Sequence, residues 1–201
     1  MTYFVTGATG FIGRYLVQSL LQRGKGTIYV LVRPKSVGKL DELREFWGKE
    51  SVKRVVPIKG DLGSPKLGVS PADVRKLKGK VKHFFHLGAV YDIEASAETM
   101  KKANIVGTQG ALDLAAAVNA GCFHLVSSIA AAGLYRGTFT EDMFEEAEEL
   151  DHPYHSTKHD SEGMVRANGR IPYRIYRPGA VVGHSKTGFI DKIDGPYYFF
   201  K

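Results

Sequence analysis

One cysteine, Cys122, stands among 201 residues. That excludes an internal disulfide framework, and its apolar neighbours point to a buried core thiol. No apolar run approaches the ~20 residues that a membrane-spanning helix needs. The N-terminal MTYFVTGATG has neither a basic n-region nor a cleavage pattern, and it enters a strand-like segment directly. A cytoplasmic protein is expected. Zinc-finger spacing, an RNA-binding signature and a basic helix are all missing. The net charge of +7 comes from scattered residues (Lys35, Lys39, Lys49, Lys53, Lys76, Lys78, Lys80, Lys82), not from one arm. It therefore reads as a solvated surface, and no nucleic-acid partner is expected. There is no fixed-period repeat, linker or low-complexity tract, and the length suits one well-packed domain.

What the chain does have is alternation. Short β-rich runs, TYFVT (2–6), TIYVLV (27–32), VKRVVPI (52–58), VKHFFHLG (81–88), CFHLVSS (122–128) and YRIYRP (173–178), alternate with helical patterns. The helices are expected at FIGRYLVQSLLQRG, KLDELREFWG, PADVRKLKG, a long Ala-rich stretch over 96–120, and HSTKHDSEGMVRAN. Repeated β-α units imply right-handed crossovers, hence an α/β doubly wound parallel sheet with helices on both faces. The acidic loop 138–152 reads as a solvated flap.

After the first strand comes 6-TGATGFIG-13. Gly7 permits a tight turn, Gly10 lets the backbone approach a pyrophosphate, and Gly13 lets the helix pack close on the strand. Thr9, Phe11 and Ile12 lie at the start of that helix, whose unpaired N–H groups and dipole favour phosphate. About 20 residues on, an NAD site places an acid against the ribose 2′-hydroxyl. Here 31-LVRPKS-36 offers Arg33, Lys35 and Ser36, with no acid before Asp41. A guanidinium can clamp a 2′-phosphate that a carboxylate would repel, so NADP(H) is the expected cofactor. Stacking of Arg33 on adenine is the alternative. Two further segments, 60-GDL-62 and 86-HLGAV-90, end strands where such a sheet binds its ligand. They add Asp61, Leu62, Leu87, Gly88 and Ala89 to the cofactor-binding set; Asp61 reads equally as an adenine acceptor or a turn cap.

The stretch 151-DHPYHSTKHD-160 admits two readings, a metal cluster of His152, His155 and His159 or a proton-transfer pair of Tyr154 and Lys158. Spacing i to i+4 puts Tyr154 and Lys158 on one helix face, and each histidine of the 155/159 pair lies about 100° further round. A phenol with a pKa near 10 needs a cation to serve at neutral pH. An ammonium about 4 Å away supplies roughly 4 kcal/mol at an effective dielectric of 20. The proton-transfer reading is preferred, and no metal is expected.

These motifs, with NIVGT (104–108), VSSIAAAG (126–133) and RPGAVVG (177–183), span the chain in the order found in the extended short-chain dehydrogenase/reductase family, which the sequence resembles. The resemblance implies that Ser128, separated from Gly133 by four residues, hydrogen-bonds the substrate oxygen, and it prefers Ser128 over Ser127. It implies that Tyr154 is the acid/base, that Lys158 holds the nicotinamide ribose, and that Asn104 supports them. Pro178, Gly179 and Val181 would line the nicotinamide. The segments around Ser128 and Pro178 look like bacterial NADPH-dependent fatty acyl-CoA reductases of the male-sterility type, in which this chain would match part of the N-terminal, aldehyde-reducing module. The implied substrate is a small lipid molecule, a fatty aldehyde or acyl-CoA; peripheral membrane contact and homo-oligomerisation stay open. A nucleotide-sugar epimerase or dehydratase is one alternative, although Ala130–Ala132 leave no acid pair for dehydration. A non-catalytic cofactor-binding module is the other. His184 and Tyr91 are candidate substrate contacts. Family members carry a further substrate-binding region, so the aromatic 196-PYYFFK-201 suggests a truncated chain.

Overall fold

The computed structural model describes residues 1–89, 96–190 and Tyr197; Tyr91 and nearly all of 196–201 lie outside them. Six parallel strands, β1 (Tyr3–Thr6), β2 (Ile28–Val32), β3 (Val55–Lys59), β4 (His83–His86), β5 (Cys122–Val126) and β6 (Tyr173–Tyr176), form one sheet in the order β3-β2-β1-β4-β5-β6. The chain has a Rossmann fold, as the alternation implied. Every residue of β1 and β2 is buried, which a central parallel strand sandwiched between helices requires.

On one face α1 (Phe11–Arg23), α2 (Lys39–Trp47) and α3 (Glu50–Arg54) cover β1–β3, burying Val17, Leu20, Leu43 and Trp47 against Val5, Val30 and Val55. On the other, α4 (Pro71–Leu77), α6 (Gly107–Ala117) and α7 (Pro153–Arg166) pack on Phe4, Phe84, Phe123 and Ile58. Among the described residues no helix is long and apolar enough to cross a membrane.

Three sequence expectations shift. The third strand starts at Val55, not residue 52, because Arg54 donates to the carbonyls of Leu21, Gly24 and Gly26 and the residues before it coil into α3. The long helix over 96–120 is α5 (Ala97–Lys101), one π turn (Lys102–Val106) and α6 in series; such turns commonly mark functional positions. Cys122 is partly exposed and not a core thiol, since among the described residues no helix covers its side of β4–β6.

The loop 138–152 does expose Glu141, Asp142, Glu145 and Glu149, yet its backbone is pinned. Glu148 N–H donates to Ala132 O, and Leu134 N–H donates to Glu148 O. Gly133, at φ +65°, lies so close to Glu148 O that no side chain fits there.

Candidate active site

The glycine turn closes as its residue types demand. Gly7 has φ +71°, and a Cβ there would lie 2.8 Å from the Gly88 nitrogen; one on Gly13 would lie 2.0 Å from the Gly7 oxygen. Gly10 meets only the Gly7 oxygen at 3.3 Å and is exposed, with no side chain capping α1. A helix start thus faces a groove of about 420 Å³ at the carboxyl ends of the strands. Gly7, Thr9, Gly10, Arg33, Ser36, Asp61, Leu62, Leu87, Gly88 and Ala89 all line it. The groove is shaped for a dinucleotide: bare backbone and an uncapped helix N-terminus at its centre, Arg33 and Ser36 at the β2 end. Asp61 accepts from Gly63 N–H at 2.8 Å, so it caps its own turn while lining the groove.

Lys102, which sequence reasoning missed, also lines the groove, its Cε next to Gly63. Nothing in the local sequence separates it from Lys101, which does not line the groove. A second cavity of about 1140 Å³ shares Leu87 with the groove and is lined at that mouth by Ile12, Ile129, Pro178 and Val181. Gly179 lies beside Ile129, and the Phe11 ring sits edge-on to Tyr15.

Pro153 opens α7, and His152 Nδ1 accepts from Tyr154 N–H. The buried face of α7 carries Tyr154, Thr157, Lys158, Ser161 and Glu162. Tyr154 is 9% and Lys158 6% exposed, and the ammonium lies 6.0 Å from the phenol ring centre. Burial pulls Lys158 down to about 8. Asn104, in the π turn, donates to Thr157 Oγ1 at 3.1 Å, and that hydroxyl donates to Pro153 O, tying the turn to α7 between Tyr154 and Lys158.

The two serines of 127–128 separate cleanly. Ser127 Oγ donates to Glu162, which is 0% exposed and also receives Arg166 and Arg177 at 2.5–3.1 Å. Burial pushes the Glu162 carboxyl up, but the hydrogen bonds from Arg177 and Arg166 outweigh it, and the net direction is down. Ser128 Oγ accepts from Ala130 N–H at 3.2 Å, which leaves its own proton to give.

The His152 and His155 rings lie 5.4 Å apart, and His155 Nδ1 is buried with no hydrogen-bond partner among the described residues. His152 caps α7, while His159 Nδ1 lies 3.0 Å from Ala131 O and its ring stacks on Phe144 at 4.1 Å. His184 stacks on Tyr15 and accepts from Lys186 and Thr187 N–H, so it caps a local turn. His86, not singled out from sequence, is fully buried: Nδ1 lies 2.8 Å from Thr6 Oγ1, which accepts from Gly88 N–H, and Nε2 lies 3.3 Å from Thr108 Oγ1. Burial, and then the Lys158 charge, push it down to about 3.

Strand order, glycine turn and the Tyr154/Lys158 helix define the architecture of an extended short-chain dehydrogenase/reductase. The chain belongs to the family described as Male sterility protein, whose model matches residues 5–201. It is 35% identical over 205 residues to one of the proteins of the linear gramicidin synthase of Brevibacillus parabrevis, covering 94% of this chain and 4% of that protein. A Drosophila melanogaster protein named as a candidate fatty acyl-CoA reductase, CG8306, is 29% identical over 242 residues, covering 98% of this chain and 47% of that one. Among solved structures, the terminal R domain from the myxalamid PKS-NRPS biosynthetic pathway superposes with a TM-score of 0.83 at 33% identity, covering 93% of this chain and 51% of that one. The chain thus spans about half or less of each.

Proposed function

We propose that this chain is the cofactor-binding and catalytic half of an NADPH-dependent reductase acting on the carbonyl of a fatty aldehyde or acyl thioester. The observation that carries the reading is the buried Tyr154/Lys158 pair on α7, tied through Thr157 and Asn104 to the π turn whose Lys102 and Ala103 line a groove with a basic β2 end. When bound, the nicotinamide cofactor supplies the hydride that the carbonyl carbon accepts. The chain's own residues handle everything else. Tyr154 gives its hydroxyl proton to the carbonyl oxygen, and the Lys158 ammonium stabilises the phenolate left behind. Ser128 donates a hydrogen bond to the same oxygen, its hydroxyl held by Ala130 N–H. Asn104 acts through Thr157 to hold the first turns of α7 in place.

Arg33, Ser36 and Lys102 give the groove the donors that a 2′-phosphate attracts, and Asp61, the one carboxylate lining it among the described residues, is engaged with Gly63. Leu87 links the groove to Ile12, Pro178 and Val181, so the nicotinamide half belongs at the mouth of the larger cavity. An acyl chain is supported by the apolar side chains of that mouth and by the name of the Drosophila relative. The acyl-CoA in the same relative's name supports a thioester substrate equally. A cytoplasmic location is part of the same proposal.

The test is calorimetric titration with NADPH and NADH, repeated on Arg33→Ala, beside turnover of decanal and palmitoyl-CoA. NADPH is expected to bind at least tenfold more tightly than NADH, with the preference lost in the variant. Equal binding of the two cofactors by the wild type overturns the choice of NADPH. Tight NADPH binding without reduction of either carbonyl assigns the chain a cofactor-binding role only. Unchanged turnover in Tyr154→Phe refutes the proton donor.

A further inference from the structure

The side of β4–β6 that no described helix covers carries a cluster away from the groove. Parallel pairing sets His83 beside Cys122 and Phe85 beside His124, and alternation along β5 brings Cys122 and His124 to one face. His83 and Cys122 open their strands, so the cluster sits at the opposite end of the sheet from the proposed reaction centre. One donor atom from each of His83, Cys122 and His124 lies within 4.8 Å of the other two, and His83 Nδ1 is 3.0 Å from His124 Nε2. We propose that these three side chains form a binding site for a thiophilic, zinc-type cation, with a fourth position open to water.

Three observations carry the proposal. The donor set, two imidazoles and a thiol with no carboxylate, suits Zn²⁺ and its relatives and excludes hard ions such as Mg²⁺ and Ca²⁺. Tetrahedral bonds of ~2.0–2.3 Å place donors about 3.3–3.7 Å apart, so the cluster closes by moving side chains about 1 Å. The rings are already oriented. His124 Nδ1 lies 3.0 Å from Tyr176 Oη, which can accept its proton and leave the Nε2 lone pair facing the site. Phe85 stacks on His124 at 4.2 Å, and Tyr3 on His83 at 5.8 Å. A ligating histidine held through its second nitrogen is the usual outer shell of a zinc site. Burial pushes the Cys122 thiol up, and Arg174, on β6 beside His124, lowers it only in part while opposing a dication. The expected affinity is therefore modest, a Kd of about 1 μM, below that of structural zinc sites. Bound there, the ion would pin β4 to β5.

The experiment is a Co²⁺ titration of the chelator-stripped 201-residue chain, followed by displacement with Zn²⁺. One ion per chain is expected, with a thiolate-to-cobalt charge-transfer band in the near ultraviolet. That band should vanish in Cys122→Ser, and affinity should fall at least tenfold in His83→Asn and His124→Asn. Tyr176→Phe, which keeps the ring, should weaken binding about 10- to 100-fold without touching a ligand. Circular dichroism and thermal unfolding of each variant separate lost ligation from lost fold. If only the His124 variant fails to fold, the remaining three still decide. No saturable binding by the folded wild type overturns the proposal. So does binding that the cysteine and histidine variants leave unchanged, which would mark an adventitious ion elsewhere.

Discussion

Lys158 should cost the fold stability for the sake of the site. It is 6% exposed, and burial pulls its ammonium from 10.5 down to about 8. At ~1.4 kcal/mol per tenfold change in proton affinity, keeping that cation inside costs the native state about 3 kcal/mol at neutral pH. Methionine has a similar unbranched stem and no charge. Lys158→Met should therefore raise unfolding stability by up to about 3 kcal/mol at pH 7, roughly 6–12 °C in Tm for a chain of this size, while reductase activity falls about 100-fold or more. The sign of the pH dependence is fixed by linkage. Below pH 8 the lysine is charged in both states and the whole cost is present. Between about 8 and 10.5 the folded state loses its proton first, so wild-type stability rises with pH while the variant stays level. The advantage of the variant should shrink towards zero across that interval. Urea unfolding followed by circular dichroism at pH 7 and pH 9.5 measures both quantities. A variant less stable than wild type at pH 7, or an advantage that does not shrink, refutes the reasoning.

Glu162→Gln should destabilise the chain by about 3–5 kcal/mol in urea unfolding, because two guanidinium groups lose a buried partner. Glu162 is held low in the fold, so its contribution is present above the ordinary carboxylate range and lost as pH falls through the lowered value; the gap between variant and wild type should narrow below about pH 4. Gly13→Ala should cost about 1–3 kcal/mol or more and abolish NADPH binding, since its Cβ would meet backbone at 2.0 Å. Gly10→Ala should fold normally, with thermal unfolding unchanged within a few degrees, yet bind NADPH at least tenfold more weakly by calorimetry, because its methyl would occupy the approach to the helix start.

Elements governed by local pattern were legible in the sequence. The unbroken apolar run IYVLV marked a strand buried on both sides, and TGATGFIG fixed both the groove and its position between β1 and α1. The helix expected at HSTKHDSEGMVRAN is α7, which begins two residues earlier, at Pro153. What stayed hidden was set by partners distant along the chain. Arg177 looks like part of the RPGAVVG loop, yet it grips Glu162 on α7 and the carbonyls of Thr140 and Met143 in the acidic flap. His86 reads as one residue of HLGAV until Thr6, 80 positions away, is seen beside it. Lys102 lines the groove at the start of a π turn, and periodicity at 3.6 residues per turn does not register such an insertion. The three donors of the proposed cation site come from two strands, and sequence reasoning sought metal ligands only within one helix.

His86 and Lys158 are two buried bases close enough that the charge of one depresses the other. With His86 neutral down to about 3 and Lys158 charged up to about 8, the pair carries one proton between those limits, and that proton belongs to the lysine. An acid limb in the pH–rate profile therefore cannot report the histidine. The interior around this pair has a single setting at neutral pH, a fixed positive charge beside Tyr154, and only alkali removes it.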